Sequence, residues 1–286
     1  MASKKKSGWA TMPAKAPAFD FGGDALKKAW KGLHAGDAEP YPDAKRAAAL
    51  IKAAGKAAPK GLDAAALAER LERGWQAFHE GRFEDAFEVG EGLGPVGASL
   101  ATKALGIHAA HLVGDAAEQL KRFETVAALA EAAIAALPGE ANSHYRRAFG
   151  LGRYSQGISI VKALKQGLAG KVRESLDRTL ELEPEHAEAR LALSVYHAEI
   201  VAKVGGLIGG MTYGAKASEA EKHLAAALKL MPGSPVAHLE QGNVALLLHG
   251  AKGEDAAAAA FEKAAKLKAR DAMEWLDARH AAAQIE

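Results

Sequence analysis

The 286-residue chain contains no cysteine. Disulfide staples, thiolate-held zinc or iron–sulfur centres and thiol nucleophiles are therefore excluded. Aromatic residues are scarce at 6%. No apolar run approaches the roughly 20 residues that cross a bilayer, so no membrane span is expected. The first residues, MASKKKSGWATMPAK, are positive but lack the apolar run of a secretory signal. A cytoplasmic protein is the expectation. Motifs of chemistry are missing too. Nothing fits G-x-S-x-G, H-E-x-x-H, a Walker A loop or an EF-hand loop, so neither an enzyme nor a cofactor is expected.

What is abundant is alanine, roughly a quarter of the chain. Alanine loses no side-chain entropy in a helix, so the composition predicts an all-α protein. Hydrophobic residues make 49% and charged residues 25%, as in folded domains. The alanine-rich usage also points to a bacterial source. The net charge of +2 is unevenly placed: residues 1–60 hold 12 basic and 5 acidic groups, and the remainder is acidic. A basic arm can anchor an anionic partner or simply solvate a tail. With an acidic body behind it, nucleic acid is not the expected partner.

The stretch AKASEAEKHLAAALKLMP, residues 215–232, organises the rest. Ala220, Leu224 and Ala227 mark one face of a helix and Pro232 stops it. Small residues let a neighbouring helix approach, and leucine fills the gap. The phrase recurs. LERGWQAFHEGRFEDAF places Gly74, Gly81 and Ala86 in the same register; Gly106, Gly114, Ala130, Ala133 and Pro138 form a second unit. ANSHYRRAFGLG with VRESLDRTLELEP ends a third at Pro184, and Gly242, Phe261 and Ala264 mark a fifth. A last helix, DAMEWLDARHAAAQIE, is expected to cap the array with Trp275 and Leu276 inward and its polar residues outward. The expected organisation is a mobile basic arm over 1–22 pinned by Trp9, Phe19 and Phe21, a helical extension over 23–61 with Asp24 and Asp43 as caps, and repeats over 62–286.

These units resemble the tetratricopeptide (TPR) repeat, two antiparallel helices in about 34 residues with small residues at the crossings. The resemblance implies a right-handed α-solenoid of about five helix pairs. Two units are longer, 46 residues from Pro138 to Pro184 and 48 from Pro184 to Pro232, with the surplus near Gly150–Gly170 and in GGLIGGMTYG. The lengthened pattern, with YSQGISIVKALKQGLAGKVRESLDRTLELEPEHAEARLAL, is similar to TPR proteins of the regulator-of-microtubule-dynamics type.

The resemblance also implies a function. Helix A positions of such units face a concave groove that binds extended peptides. Here these positions hold Trp75, His79, Lys103, His111, Asn142, Tyr145, Phe149, Arg153, Glu188, Glu199 and Asn243. Asparagine can hold a peptide backbone, and Arg or Lys a carboxylate. The expectation is a non-enzymatic scaffold for an unidentified protein or peptide. The alternative is a small-ligand binder closed by a flap of Gly205, Gly206, Gly209, Gly210 and Tyr213. The apolar groups of that stretch, Leu207, Ile208, Met211 and Tyr213, are otherwise expected to fold back over a neighbouring repeat. His108 and His111 could share one side of a helix, but no third ligand has a recognisable spacing, so no metal is expected. Glu219 and His223, at i and i+4, read as a surface pair.

Overall fold

The computed structural model describes residues 8–285, and every regular element among them is helical. Lys4–Lys6, the charged head of the expected arm, lie outside the described residues. The helices are α1 (Ala25–Leu33), α2 (Ala44–Ala54), α3 (Ala64–His79), α4 (Phe83–Gly92), α5 (Ala98–Leu112), α6 (Ala116–Ala136), α7 (Ala141–Gln156) and α8 (Ile160–Lys165). There follow α9 (Leu168–Leu182), α10 (Ala187–Val204), α11 (Gly206–Tyr213), α12 (Ala217–Leu230), α13 (Pro235–His249), α14 (Glu254–Lys266) and α15 (Ala272–Ala282). Local chemistry sets their ends. The carboxylates of Asp43, Asp63, Asp115 and Asp271 each accept an amide three residues on, at 2.8 Å. Such caps satisfy amides that have no partner within the helix. Helices α6, α9 and α12 stop just short of Pro138, Pro184 and Pro232, since the residue before a proline disfavours helical geometry.

The chain divides into two compact units. The first joins the described residues up to Leu26 with Pro40–Gly157; the second joins Lys27–Glu39 with the residues from Ile158 onward. This division departs from the expected one, which put the boundaries near residues 22 and 61. The segment after Lys27 is held in the second unit by its own carbonyls. Gly36 O accepts the Glu188 amide at 2.8 Å, and Gly32 O accepts an Arg270 guanidinium N–H at 2.7 Å. Within that segment the Trp30 indole donates to Glu39 O at 2.7 Å, and the buried His34 and Asp37 pair at 2.8 Å. The expected third helix pair is likewise divided: α7 packs on α5 and α6 in the first unit, and α9 packs on α10 in the second.

In the first unit α2, α3, α4, α5, α6 and α7 pack each on the next. The crossings are close because small residues occupy them. A Cβ on Gly74 would stand 2.3 Å from Leu100, and one on Gly90 would stand 2.6 Å from the Ala101 amide nitrogen. Ala86 of α4 and Ala130 and Ala133 of α6 are buried as well. In the second unit α10 packs on α12 and α13 on α14. Ala220, Ala227 and Ala264 are wholly buried there, and a Cβ on Gly242 would meet Phe261 at 2.3 Å.

The expected cap, α15, lies on α13 and α14. Leu276 is buried as expected, but Trp275 is only half-buried, with the Arg279 guanidinium 5.0 Å from its ring centroid. The polar side is corrected as well, because Glu274 and Asp277 are buried. Glu274 pairs with Arg270 and accepts its amide at 2.8 Å; burial pushes its pKa up against that pairing.

The arm is pinned to the first unit by aromatic rings. Trp9 packs 5.3 Å from Phe87 and 4.4 Å from His108, and the Arg122 guanidinium lies 4.9 Å from its ring. Phe21 is buried and packs 5.5 Å from His79. Arg122 Nη1 stands 2.8 Å from His108 Nδ1. A guanidinium only donates, so Nδ1 accepts from it, while Nε2 faces both the Ala10 amide nitrogen, at 2.9 Å, and Ala10 O, at 3.1 Å. Arg122 also donates to Gly8 O and is paired with Glu118 at 2.9 Å. Burial first, then the Arg122 charge, push the His108 pKa down to about 4.

Two outcomes test this packing. Gly90→Ala should destabilise the chain by about 1–3 kcal/mol despite alanine's better helix propensity, because the added methyl meets backbone atoms of α5. Gly92→Ala in the same helix, with open space around the site, should be neutral or slightly stabilising; denaturant titration compares them. The second outcome concerns pH. A histidine lowered from 6.5 to about 4 costs nothing above 6.5. As pH falls through that window, the undocked or unfolded chain takes up a proton that the docked form refuses, so stability is lost on acidification. The loss should approach roughly 3 kcal/mol at the acid end. In His108→Gln the difference in stability between pH 7 and pH 4.5 should shrink; an unchanged difference would contradict this role.

Candidate partner-binding surfaces

Eight of the eleven groove positions belong to the first unit, and Glu188, Glu199 and Asn243 to the second. Trp75, His79, Lys103, Asn142 and Tyr145 are buried inside the first unit, which corrects their assignment as partner contacts. Their packing gives the reason. His79 lies 6.0 Å from Trp75 and 5.1 Å from Phe78, and Phe21 of the arm covers it. The Lys103 ammonium sits 5.9 Å from the Trp75 ring centroid and 5.5 Å from that of Phe78. Two aromatic faces thus replace part of its lost hydration. The Arg146 guanidinium lies 4.8 Å from the Tyr145 ring.

The accessible part of the first unit is smaller. His111, Phe149 and Arg153 are half-buried. The Phe149 ring leans on Phe123 at 6.0 Å, and a Cβ on Gly106 would touch it at 2.8 Å. The Arg153 guanidinium lies 5.6 Å from the centroid of that ring. The glycine in α5 thus seats the ring and the ring seats the cation. Glu80, just after α3, accepts the Phe21 amide of the arm at 3.1 Å. Burial works against its charge, but hydrogen bonds from Arg82, Gln76 and the Phe21 amide hold its pKa below the usual carboxylate value. A cleft of about 500 Å³ opens between α3 and α4, lined by Arg70, Arg73, Arg82, Asp85 and Glu88 over Ala77, Val89 and Leu93. Sequence reasoning missed it because Arg70 and Arg73 sit at ordinary surface spacings. Much of its charge is balanced: Arg82 pairs with Glu80 and Asp85, both at 2.8 Å.

In the second unit Glu199 is paired with Lys203 at 3.1 Å, and Asn243 donates to Glu240 at 2.9 Å. The Glu188 amide is the donor to Gly36 already described. The candidate flap is corrected in form. Gly206–Tyr213 is a helix, with Gly205 and Gly214 at positive φ of 80° and 63° at its ends. Leu207, Ile208 and Met211 do not fold back on a repeat; they are 78%, 57% and 82% exposed. Only Gly209 is buried, where a Cβ would meet Ile200 of α10 at 3.2 Å.

Two histidines escaped notice as a pair. His197 and His223 stack at 5.9 Å, and His197 Nε2 and His223 Nδ1 are buried with no hydrogen bond. Burial, then Arg173 and His223, push His197 down to about 4; burial, then Arg190, lower His223. Both are therefore neutral at pH 7. Glu219 lies 3.9 Å from His223, the expected i, i+4 neighbour, though His223 is largely buried. Among the described residues no three potential ligands converge to hold a metal ion. No described helix is long and apolar enough to cross a membrane.

Comparison with known proteins agrees with the helix pairing. No family model matches the chain, and no curated protein matches it. Among solved structures, a thermophilic TPR protein of Thermus thermophilus matches with a TM-score of 0.52 and 15% identity, over 75% of this chain and 98% of that one. The narrower resemblance to the regulator-of-microtubule-dynamics type finds no support in these comparisons. At that identity the likeness speaks for the fold alone: an all-α arrangement of TPR-like helix pairs.

Proposed function

We propose that the chain is a non-enzymatic interaction scaffold that binds an extended or helical segment of a partner protein. TPR-like helix pairs present side chains of their first helices to such segments, and fold-level analogy is the general support. The observation that carries the specific reading is the Arg153 cation set against the Phe149 ring at a half-buried position of α7. This pair offers apolar area beside a planar donor fork suited to a carboxylate. The partner segment accordingly carries an acidic residue next to an apolar one. His111 adds a half-buried polar group on α5. Trp75, His79, Lys103, Asn142 and Tyr145 act beneath this surface as packing and do not touch the partner. A cytoplasmic, bacterial setting belongs to this reading on composition alone.

The test is peptide display against the full chain, followed by titration of selected peptides into wild type and Arg153→Glu. Peptides pairing an acidic with an apolar residue should be enriched, and the variant should bind them at least tenfold more weakly, about 1.4 kcal/mol, with its helical content unchanged. Equal binding by both proteins, or no enrichment, would remove this surface from consideration.

A further inference from the structure

Among the described residues eight large apolar side chains are exposed, and six of them stand on just two short helices. Ile160, Val161 and Leu164 project from α8, and Leu207, Ile208 and Met211 from α11, with exposures from 54% to 82%. These helices are the surplus of the two lengthened units, and both belong to the second unit. Topology brings them to one end of it. Helices α9 and α10 pack on each other across a link of only Glu183–His186, so they run antiparallel. The start of α9, which carries α8, therefore lies beside the end of α10, which carries α11. Arg173 near the start of α9 acts on Tyr196 and His197 of α10, and the Tyr196 hydroxyl donates to Tyr213 O at the end of α11, at 3.5 Å.

The two inserts themselves carry charge of one sign, while the neighbouring helices bring acidic groups to the same end: Asp177 pairs with Arg173, and Glu219 acts on His197. No acidic residue lies between Gly157 and Arg173 or between Ile200 and Ser218, while Lys162, Lys165, Lys171, Lys203 and Lys216 do. Lys203 is paired with Glu199; Lys162, Lys165, Lys171 and Lys216 are exposed. Burying this apolar area against a second copy across a two-fold axis would set lysines on lysines. A folded protein partner would need a complementary recess for each of the six exposed tips. A bilayer interface takes up convex apolar tips of any outline, and anionic headgroups attract the lysines around them.

We propose that α8 and α11 together form a docking surface for an anionic membrane, with the apolar tips entering the headgroup–acyl boundary and the lysines contacting lipid phosphates and carboxylates. The binding is peripheral and salt-sensitive. It does not depend on the partner surface at Arg153, which lies in the first unit.

Co-sedimentation of the full chain with vesicles tests it. Mixed phosphatidylserine–phosphatidylcholine vesicles should pellet the protein, pure phosphatidylcholine vesicles should do so far less, and added salt should release it. The double variant Val161→Glu with Met211→Glu changes two highly exposed positions and should melt as wild type does, yet its partitioning should fall at least tenfold. Lys162→Gln with Lys165→Gln should weaken binding and flatten its salt dependence. Failure to pellet with anionic vesicles at low salt would overturn the proposal, as would full binding by the Val161/Met211 variant. So would sedimentation velocity showing a dimer that this variant abolishes, or capture of an acidic amphipathic peptide by a protein that ignores vesicles.

Discussion

Close approach of helix backbones is the constraint on which both units depend. Where two helices cross near contact distance, one must present almost no side chain. Gly74, Gly90 and Gly242 are such points, each with a neighbouring atom where a methyl would have to sit. Alanine does the same at Ala86, Ala130, Ala220 and Ala264. Those crossings keep the large apolar groups few, which is how a chain with so few aromatics packs tightly. They also explain how the core accommodates phenylalanine: Phe149 fills the space over Gly106, and Phe261 that over Gly242.

The interior of the first unit is unusually polar for such a core. His79, Lys103, His108 and Arg122 are all buried. Each is made tolerable by a specific neighbour. Aromatic faces flank Lys103, Trp9 lies against His108, and Arg122 directs its donors to His108, Glu118 and the arm's own carbonyl. The arm therefore completes the unit and does not merely trail from it. In the second unit His197 Nε2 and His223 Nδ1 are buried without a hydrogen bond. Such groups cost roughly 1–3 kcal/mol when left unpaired.

The two inserts follow different physics from the repeats that carry them. A repeat helix buries one face on its neighbours. Helices α8 and α11 bury almost nothing and point apolar groups outward beside lysines. Their glycines, Gly167, Gly205 and Gly214, take positive φ, and so let the chain turn sharply into and out of the short helices.

By itself the sequence determined the all-α class, the Asp43 cap, the helix stops before Pro138, Pro184 and Pro232, and the small-residue crossings. Those are local properties. A capping aspartate acts within one turn, a proline stops the helix just before it, and a glycine at a crossing shows as a break in the pattern of large residues. The aromatic pins at Trp9 and Phe21 were legible for a related reason, since a scarce large apolar group in an arm has few other places to go. Only the tertiary structure decided which polar residues face inward. Lys103 and His79 sit at positions that a single helix cannot tell from groove positions; burial there involves the α3 rings beside Lys103 and Phe21 of the arm against His79. The split of the third helix pair, and the assignment of Lys27–Glu39 to the second unit, rest on hydrogen bonds to Glu188 and Arg270, far along the chain. The exposure of α8 and α11 was hidden for the same reason. Apolar residues read as core until the structure shows that no neighbour covers them.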